Sequence, residues 1–374
     1  MAGTTAQQSA DVVVVGGGII GLAVAWRARS RGLDVVLCER GGLPSEDAAA
    51  HVAAGMLAPV AEADAGERAL LALGMESARR WPAFAAELQD VSGIDVGYRE
   101  CGALVVARDR DEAEHVEREL ALRERLGLNV ERLVPSQART IEPALSPSLR
   151  AAFRAPDDHA VDPRAVCAAL AAAAHASGVR LHAGAEVARV LPGEGVVLRD
   201  GSLVAAAGVV LAAGAWSGAV PGAPTLPVRP VKGQVLRLRP RAGEGPIVTS
   251  VIRWDGGYLV PRSDGRVVLG ATMEEQGFDV AVTALAVHDL LRDAAECVPG
   301  ILELELEDAL AGLRPATPDN APLIGMQDDV MVATGHHRNG VLLAPVTADL
   351  VAAELAGEKP EHRFAPGRFS EVAA

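Results

Sequence analysis

Aromatic side chains make up 3% of this 374-residue chain, with two tyrosines, four tryptophans and five phenylalanines. Its cores must therefore be filled by small and aliphatic side chains. Cysteine is also scarce. Cys38, Cys101, Cys167 and Cys297 lie far apart with no C-x-x-C spacing, which fits four reduced thiols in a cytosolic protein and excludes a disulfide framework. An excess of basic charge is missing as well. The formal net charge is −14, which argues against nucleic-acid phosphate as a partner. The longest apolar stretch is the Ala-rich run 165–174, well short of the roughly 20 residues a membrane-spanning helix needs. Residues 1–10 carry no basic segment followed by an apolar one, so no secretory signal is visible; residues 1–9 are expected to form a disordered tail. The chain also lacks H-E-x-x-H, G-x-S-x-G and G-x-x-x-x-G-K-[ST] motifs, which removes zinc-protease, serine-hydrolase and P-loop chemistry. His336 and His337 are adjacent, so their side chains diverge, and no third ligand is near in sequence; no metal is expected.

The most informative segment is DVVVVGGGIIGLAVAWRARSRGLDVVLCER, residues 11–40. Gly16, Gly18 and Gly21 form G-x-G-x-x-G directly after the β-branched run Val12 to Val15. A helical segment and a second apolar run follow, and that run ends on Glu39, 18 residues after Gly21. In this arrangement the first glycine permits a tight strand-to-helix turn. The second lets a pyrophosphate approach the backbone, and the third lets the helix pack on the strand. The helix N-terminus offers free N–H groups to phosphate. A carboxylate at this spacing accepts from an adenosine ribose hydroxyl, which points away from NADP and leaves FAD and NAD open.

At this length two domains are the natural expectation. Helices are expected over 67–88, 109–126, 163–177 and 282–297, and from about 340 to a stop near Gly357. The third is framed by Asp162 as N-cap, Pro163 at the first position and Gly178 after the end. Residues 96–107 read as strand, turn, strand around Gly102, and short strands follow at 180–183, 186–191, 195–198 and 203–211. The last of these runs into Ala212-Ala213-Gly214-Ala215-Trp216, small residues that allow a close approach to the backbone. Strands at 228–238, 247–253, 258–261 and 266–269 suit an antiparallel sheet. A strand at 330–333 leads through GHHRNG into the last helix, and the final seventeen residues read as a loose tail. The fold expected is α/β: a Rossmann-like dinucleotide domain (10–90, 155–220, 308–365) interleaved with an antiparallel-sheet substrate domain (91–154, 221–307).

Two arginines stand at apolar loop ends: Arg314, bracketed by Gly312, Leu313 and Pro315, and Arg338, just before the last helix. Such neighbours suggest burial, and a guanidinium grips a carboxylate bidentately. Tyr258 starts an apolar strand.

In order and spacing, GGGIIG, AAGMLAP, GYLVPRSDG, GATMEEQGFD, GLRPATPDNAPLIG and GHHRNGVLLAP resemble the FAD-dependent D-amino acid oxidase family over about residues 10–365. The resemblance implies noncovalent FAD and a substrate held on an antiparallel sheet above the flavin. It implies Gly16, Gly18, Ile19, Ile20 and Gly21 at the pyrophosphate, Glu39 and Arg40 at the adenosine, and Val187 near the adenine. Ala54, Gly55 and Met56 would pass by the flavin, with Gly214 also at the cofactor. His336, His337, Arg338, Asn339, Gly340, Val341 and Leu342 would wrap its ring. Arg314 would clamp the substrate carboxylate with Tyr258 and Arg338 assisting, and Met273 would lie close to the ring. Ser45-Glu46-Asp47 stand where related chains often carry hydroxyl residues, and the acidic pair is expected to turn outward.

The implied activity is oxidative deamination of glycine, and also of sarcosine and small D-amino acids, to an imine that hydrolyses, in the case of glycine to glyoxylate and ammonia, with dioxygen reduced to hydrogen peroxide. In thiamine biosynthesis the glycine imine would feed thiazole synthesis. The expected setting is cytoplasmic, without membrane or nucleic acid, and homo-oligomeric, tetramers being frequent among related enzymes. Sarcosine oxidase-like chemistry is one alternative, although Cys297 lies too far upstream to carry flavin covalently. A quinone-linked D-amino acid dehydrogenase is another, and a flavin-bearing tRNA-modification or assembly protein a third from a different class.

Overall fold

A computed structural model describes residues 9–369; the expected tail lies almost wholly outside them. Two eight-stranded sheets carry the fold. In the first, Val330–Thr334, Leu203–Leu211, Ala10–Val15, Val35–Glu39 and Arg180–Ala183 run parallel in that order. Leu323–Gln327 adds an antiparallel edge, and the antiparallel strands Val187–Leu191 and Gly195–Leu198 extend from Leu203–Leu211. Val12 to Val15 are buried, as expected for a central parallel strand covered on both faces. The helix Ile19–Ser30 is buried along most of its length against the helices Gly340–Leu355, Pro163–Ala176 and Arg68–Ser92. Its alanines and Gly21 make that crowding possible. A Cβ on Gly21 would stand 1.9 Å from the carbonyl oxygen of Gly16, and Gly16 itself has φ +109°.

The second sheet runs Glu305–Ala316, Arg229–Arg239, Val267–Gly270, Gly257–Pro261, Val251–Trp254, Ala103–Ala107, Ala151–Ala155, Glu131–Leu133. It is antiparallel except where Val251–Trp254 pairs in parallel with Ala103–Ala107, so the sheet is mixed. That junction joins chain segments about 150 residues apart in sequence, which no local pattern signals.

Several expectations need correction. The twelve-residue strand Glu305–Ala316 is absent from the sequence reading, which made Arg314 a loop residue. Its acidic start and Gly-Leu-Arg-Pro segment look loop-like, but it pairs with Arg229–Arg239 from end to end. This strand also crosses the boundary drawn at 307/308. Residues 96–102 form no strand beyond an isolated bridge between Arg99 and Ala160. The helix Arg68–Ser92 continues past Leu88 to a stop at Gly93 in the left-handed conformation. Up to residue 369, the last one described, the C-terminal segment is held down rather than loose. Ile324 donates its N–H to the Phe364 carbonyl at 2.8 Å, Phe364 is buried, and Arg368 pairs with Asp319 at 2.9 Å. Asp162 caps the helix Pro163–Ala176 as expected, accepting from the Arg164 N–H at 3.0 Å.

Candidate functional site

A cavity of about 850 Å³ lies between the two sheets. One wall is formed where four parallel strands of the first sheet end: at Val15 to Gly16, Cys38 to Arg40, Ala212 to Trp216, and Ala333 to His336. Ligands bind open parallel sheets at these carboxyl ends. The other wall comes from the second sheet, through Gly233, Val235, Trp254, Tyr258 and Gly312 to Pro315. The size falls within the range of roughly 300–1,000 Å³ usual for cofactor sites.

At one end Gly18, Ile19 and Ile20 open the first helix onto the cavity, and no side chain caps that helix. The N-terminal N–H groups and dipole are thus directed at the space a pyrophosphate would fill. Glu39 is buried and accepts from the Gly17 N–H at 2.6 Å, the Gly41 N–H at 3.0 Å and the Ser45 hydroxyl at 3.2 Å. A carboxylate has about four acceptor positions, so one stays available for a ribose hydroxyl. Arg40 lies over the Trp216 ring at 3.9 Å, and Phe278 stacks on the same ring at 5.8 Å. Glu46 and Asp47 are exposed, as anticipated, although Asp47 reaches the cavity rim. Val187, Gly214, Ala54, Gly55 and Met56 line the middle. The loop through Ala54 is gripped from behind by three arginines. Arg164 and Arg237 donate to the His51 carbonyl at 2.9 and 3.1 Å, and Arg262 donates to the Ala54 carbonyl at 2.7 Å.

At the other end Arg314 projects from its strand across Gly233, where an added Cβ would stand 2.3 Å from the guanidinium. Its Nη1 donates to the carbonyls of Lys232 at 3.3 Å and Thr272 at 3.0 Å. Among the described residues no carboxylate forms an ion pair with it. Tyr258 lies beside it, its ring occupying the space that a side chain on Gly270 would need. Burial pushes its phenol pKa up, and the Arg314 charge opposes that shift.

Arg338 also borders the cavity, but it is shared with Glu62 at 4.0 Å and Glu67 at 3.5 Å. Its charge is largely matched within the protein. Glu62 is set in place by a buried brace. Asp158 accepts from the N–H groups of Val60 at 3.0 Å and Ala61 at 2.6 Å, while Arg123 donates to their carbonyls at 2.8 and 2.7 Å. Burial raises the Asp158 carboxyl to about 7.

His336 is buried, with Nε2 3.0 Å from the Thr347 hydroxyl, and burial lowers its pKa to about 3. The pKa of His337 is lowered to about 4, by burial first and then by Arg314, Arg338 and Arg229. Gly340 and Val341 line the cavity, whereas Asn339 and Leu342 face away from it toward Pro59 and Leu70. The Leu342 carbonyl accepts from Ser77 at 2.6 Å and Trp81 at 2.9 Å. Gly21 packs beneath the cavity rather than lining it. Met273 stands at the rim, 64% exposed.

Sequence reasoning missed Gly233, Trp216, Trp254 and Glu62 as lining residues. Gly233 had a usable signal, since an isolated glycine within a strand pattern marks a close approach. Glu62 had none, because its partner Arg338 is distant in sequence.

The fold and cavity define a dinucleotide-dependent enzyme with an unneutralised cation facing the cofactor space. Residues 11–354 match the model of the FAD dependent oxidoreductase family, and the chain belongs to that family, with FAD as its cofactor. It is 36% identical to the glycine oxidase of Geobacillus kaustophilus, over 91% of this chain and 92% of that one. The crystal structure of glycine oxidase from Geobacillus kaustophilus superposes with a TM-score of 0.90 at 34% identity, over 96% of this chain and 99% of that one. A bifunctional ThiO/ThiG protein of Trichormus variabilis is 35% identical over 97% of this chain and 56% of its own length, so the chain spans about half of that relative. No helix among the described residues is long and apolar enough to cross a membrane. The cavity suits FAD on its own evidence: an uncapped helix end over a glycine turn, a carboxylate with spare acceptor capacity, and a buried cavity-lining nitrogen on Trp254 that has no protein partner.

Proposed function

We propose that the protein is an FAD-dependent amine oxidase that oxidises glycine, and also sarcosine and small D-amino acids, to the imine, which hydrolyses to the oxo acid and the amine, glyoxylate and ammonia in the case of glycine. Dioxygen is the acceptor and hydrogen peroxide the product, and the setting is cytoplasmic thiamine thiazole synthesis. The observation that carries this reading is Arg314, a cation in the cavity with no carboxylate partner among the described residues. Arg314 is half-buried; a partly desolvated cation of this kind calls for an anionic ligand, and a planar guanidinium matches a carboxylate. Names borne by relatives, glycine oxidase and bifunctional ThiO/ThiG protein, agree with that substrate class.

FAD, when bound, supplies two-electron oxidation at the substrate α-carbon. The protein's own residues have simpler tasks. Arg314 holds the carboxylate and fixes the α-carbon, because orientation is the main requirement of such a transfer. Tyr258 supplies a hydroxyl beside it. Gly16, Gly18, Ile19 and Ile20 hold the pyrophosphate, and Glu39 and Arg40 the adenosine. Ala54 to Met56, Val187, Gly214, His336, Gly340 and Val341 shape the rest of the cofactor space. The N-terminus of the last helix places positive potential at the ring end, and Arg338, shared with Glu62 and Glu67, borders it. Residues 10–90, 155–220 and 308–365 would act as the cofactor unit, and 91–154 and 221–307 as the substrate unit. The strand Glu305–Ala316 ties the two together. We also propose a homo-oligomer.

The test is peroxide release from a panel of glycine, sarcosine, D-alanine and larger D-amino acids by the FAD-loaded protein. Turnover confined to small amino acids is expected. No peroxide from any of them would overturn the reading.

A further inference from the structure

His337 is exceptional among the described imidazoles. It is 8% exposed, and both ring nitrogens are buried without a hydrogen-bond partner. An unpaired buried polar group costs roughly 1–3 kcal/mol, so such groups call for an explanation. Its backbone is also unusual, with φ +47°, the left-handed region that a non-glycine residue rarely occupies. Backbone strain of this kind concentrates at ligand sites. The residue borders the cavity, next to the long strand that carries Arg314.

Its neighbours narrow what the ring can do. Arg314, Arg338 and Arg229 all act on it electrostatically, and guanidinium groups can only donate. A neutral imidazole has one donor and one acceptor nitrogen, so its lone pair is an acceptor in a corner rich in cations. Glu62, the nearby carboxylate, is already shared with Arg338.

We propose that His337 is a specificity-determining residue whose imidazole hydrogen-bonds the α-substituent of an amino acid held by its carboxylate on Arg314. This rests on the amino-acid reading given above. The α-amino group is attached to the atom next to the carboxylate carbon, and Arg314 and His337 line the same cavity close enough to interact electrostatically, so an amino acid held on Arg314 has an N–H donor for the orphaned ring. The bond favours substrates with a donor on the α-carbon and leaves simple carboxylates unaffected.

Acetate and glycolate separate the two contacts, since they differ only by an α-hydroxyl. Both are titrated by calorimetry into FAD-loaded wild type, His337→Phe and His337→Gln. Wild type should bind glycolate about fivefold more tightly than acetate, the worth of one neutral hydrogen bond. His337→Phe should bring the two within twofold with acetate affinity unchanged. His337→Gln, whose amide also donates and accepts, should restore part of the preference. An unchanged glycolate-to-acetate ratio in His337→Phe would overturn the proposal, as would an equal loss for both acids, which would make the ring a carboxylate contact. If neither acid binds wild type, the amino-acid reading itself falls and this inference falls with it. Should His337→Phe fail to hold FAD, a glycolate-to-acetate ratio in His337→Gln equal to that of wild type overturns the proposal, and a reduced one supports it.

Discussion

At the Gly16 end of the cavity the glycine turn, the uncapped helix end and Glu39 all fall within residues 10–40, a strand, a turn, a helix and a second strand in unbroken order. At the Arg314 end Tyr258, Arg314 and His337 come from two strands and a turn spread over 80 residues. The first end offers backbone N–H groups and one carboxylate, Glu39, with a single acceptor position to spare. The second presents an arginine with no carboxylate partner among the described residues and an imidazole with no hydrogen-bond partner. A cofactor that stays bound suits the first arrangement. A substrate that comes and goes suits the second, where each visit satisfies groups otherwise left unpaired.

That contrast breaks most severely if a Cβ is added beneath the turn. Gly21→Ala places one 1.9 Å from the Gly16 carbonyl oxygen, which must drive helix and strand apart. Loss of bound flavin from the purified protein is expected, read from visible absorbance. A protein that stays fully yellow would mean that the turn tolerates the shift. At the other end Arg314→Ala removes the cation that lies over Gly233. Loss of a buried charge-assisted pair costs about 2–5 kcal/mol, a KM increase of roughly thirty- to several-thousand-fold. Steady-state kinetics with glycine check this.

A third prediction concerns pH. His336 and His337 have pKa values of about 3 and about 4 in the fold, against 6.5 for a free imidazole. The unfolded chain therefore binds protons first as pH falls, so stability is fully present above 6.5 and declines below it. At pH 5 each histidine withdraws about 2 kcal/mol. His336→Gln, which keeps a polar group facing Thr347, should remove about that much of the loss between pH 7 and pH 5 in denaturant melts. An unchanged pH dependence would contradict the buried, neutral assignment.

The smallest effect belongs to Trp216→Leu. It removes the stack with Phe278 and the Arg40 contact, together worth about 1–2 kcal/mol. FAD affinity should fall several-fold in fluorescence titrations, with KM for glycine at saturating FAD unchanged. A change in KM would show that the two ends are not independent.

Legibility in the sequence follows the same division. The Gly16 turn, its helix and Glu39 could be read from spacing because the physical demands on them are local. The cap at Asp162 and the alternating strands were readable for the same reason. The strand Glu305–Ala316 was not, since its extended form depends on pairing with Arg229–Arg239. Arg314 was recognised from its apolar neighbours, but its position above Gly233 is a product of that pairing. Side-chain direction in the GHHRNG turn was equally hidden. Gly340 and Val341 face the cavity, while Leu342, one residue on, meets Ser77 and Trp81 of a distant helix. The engagement of Arg338 by Glu62 and Glu67 needed the brace of Asp158 and Arg123 to be seen.

The separation of the two ends is tested most directly by titrating acetate into FAD-loaded wild type and Arg314→Ala while measuring flavin content. The variant should keep a full complement of FAD and lose acetate binding by at least thirtyfold, about 2 kcal/mol. Equal acetate affinity in the two proteins, or loss of FAD from the variant, would contradict the assignment of Arg314 to the substrate and of residues 10–40 to the cofactor.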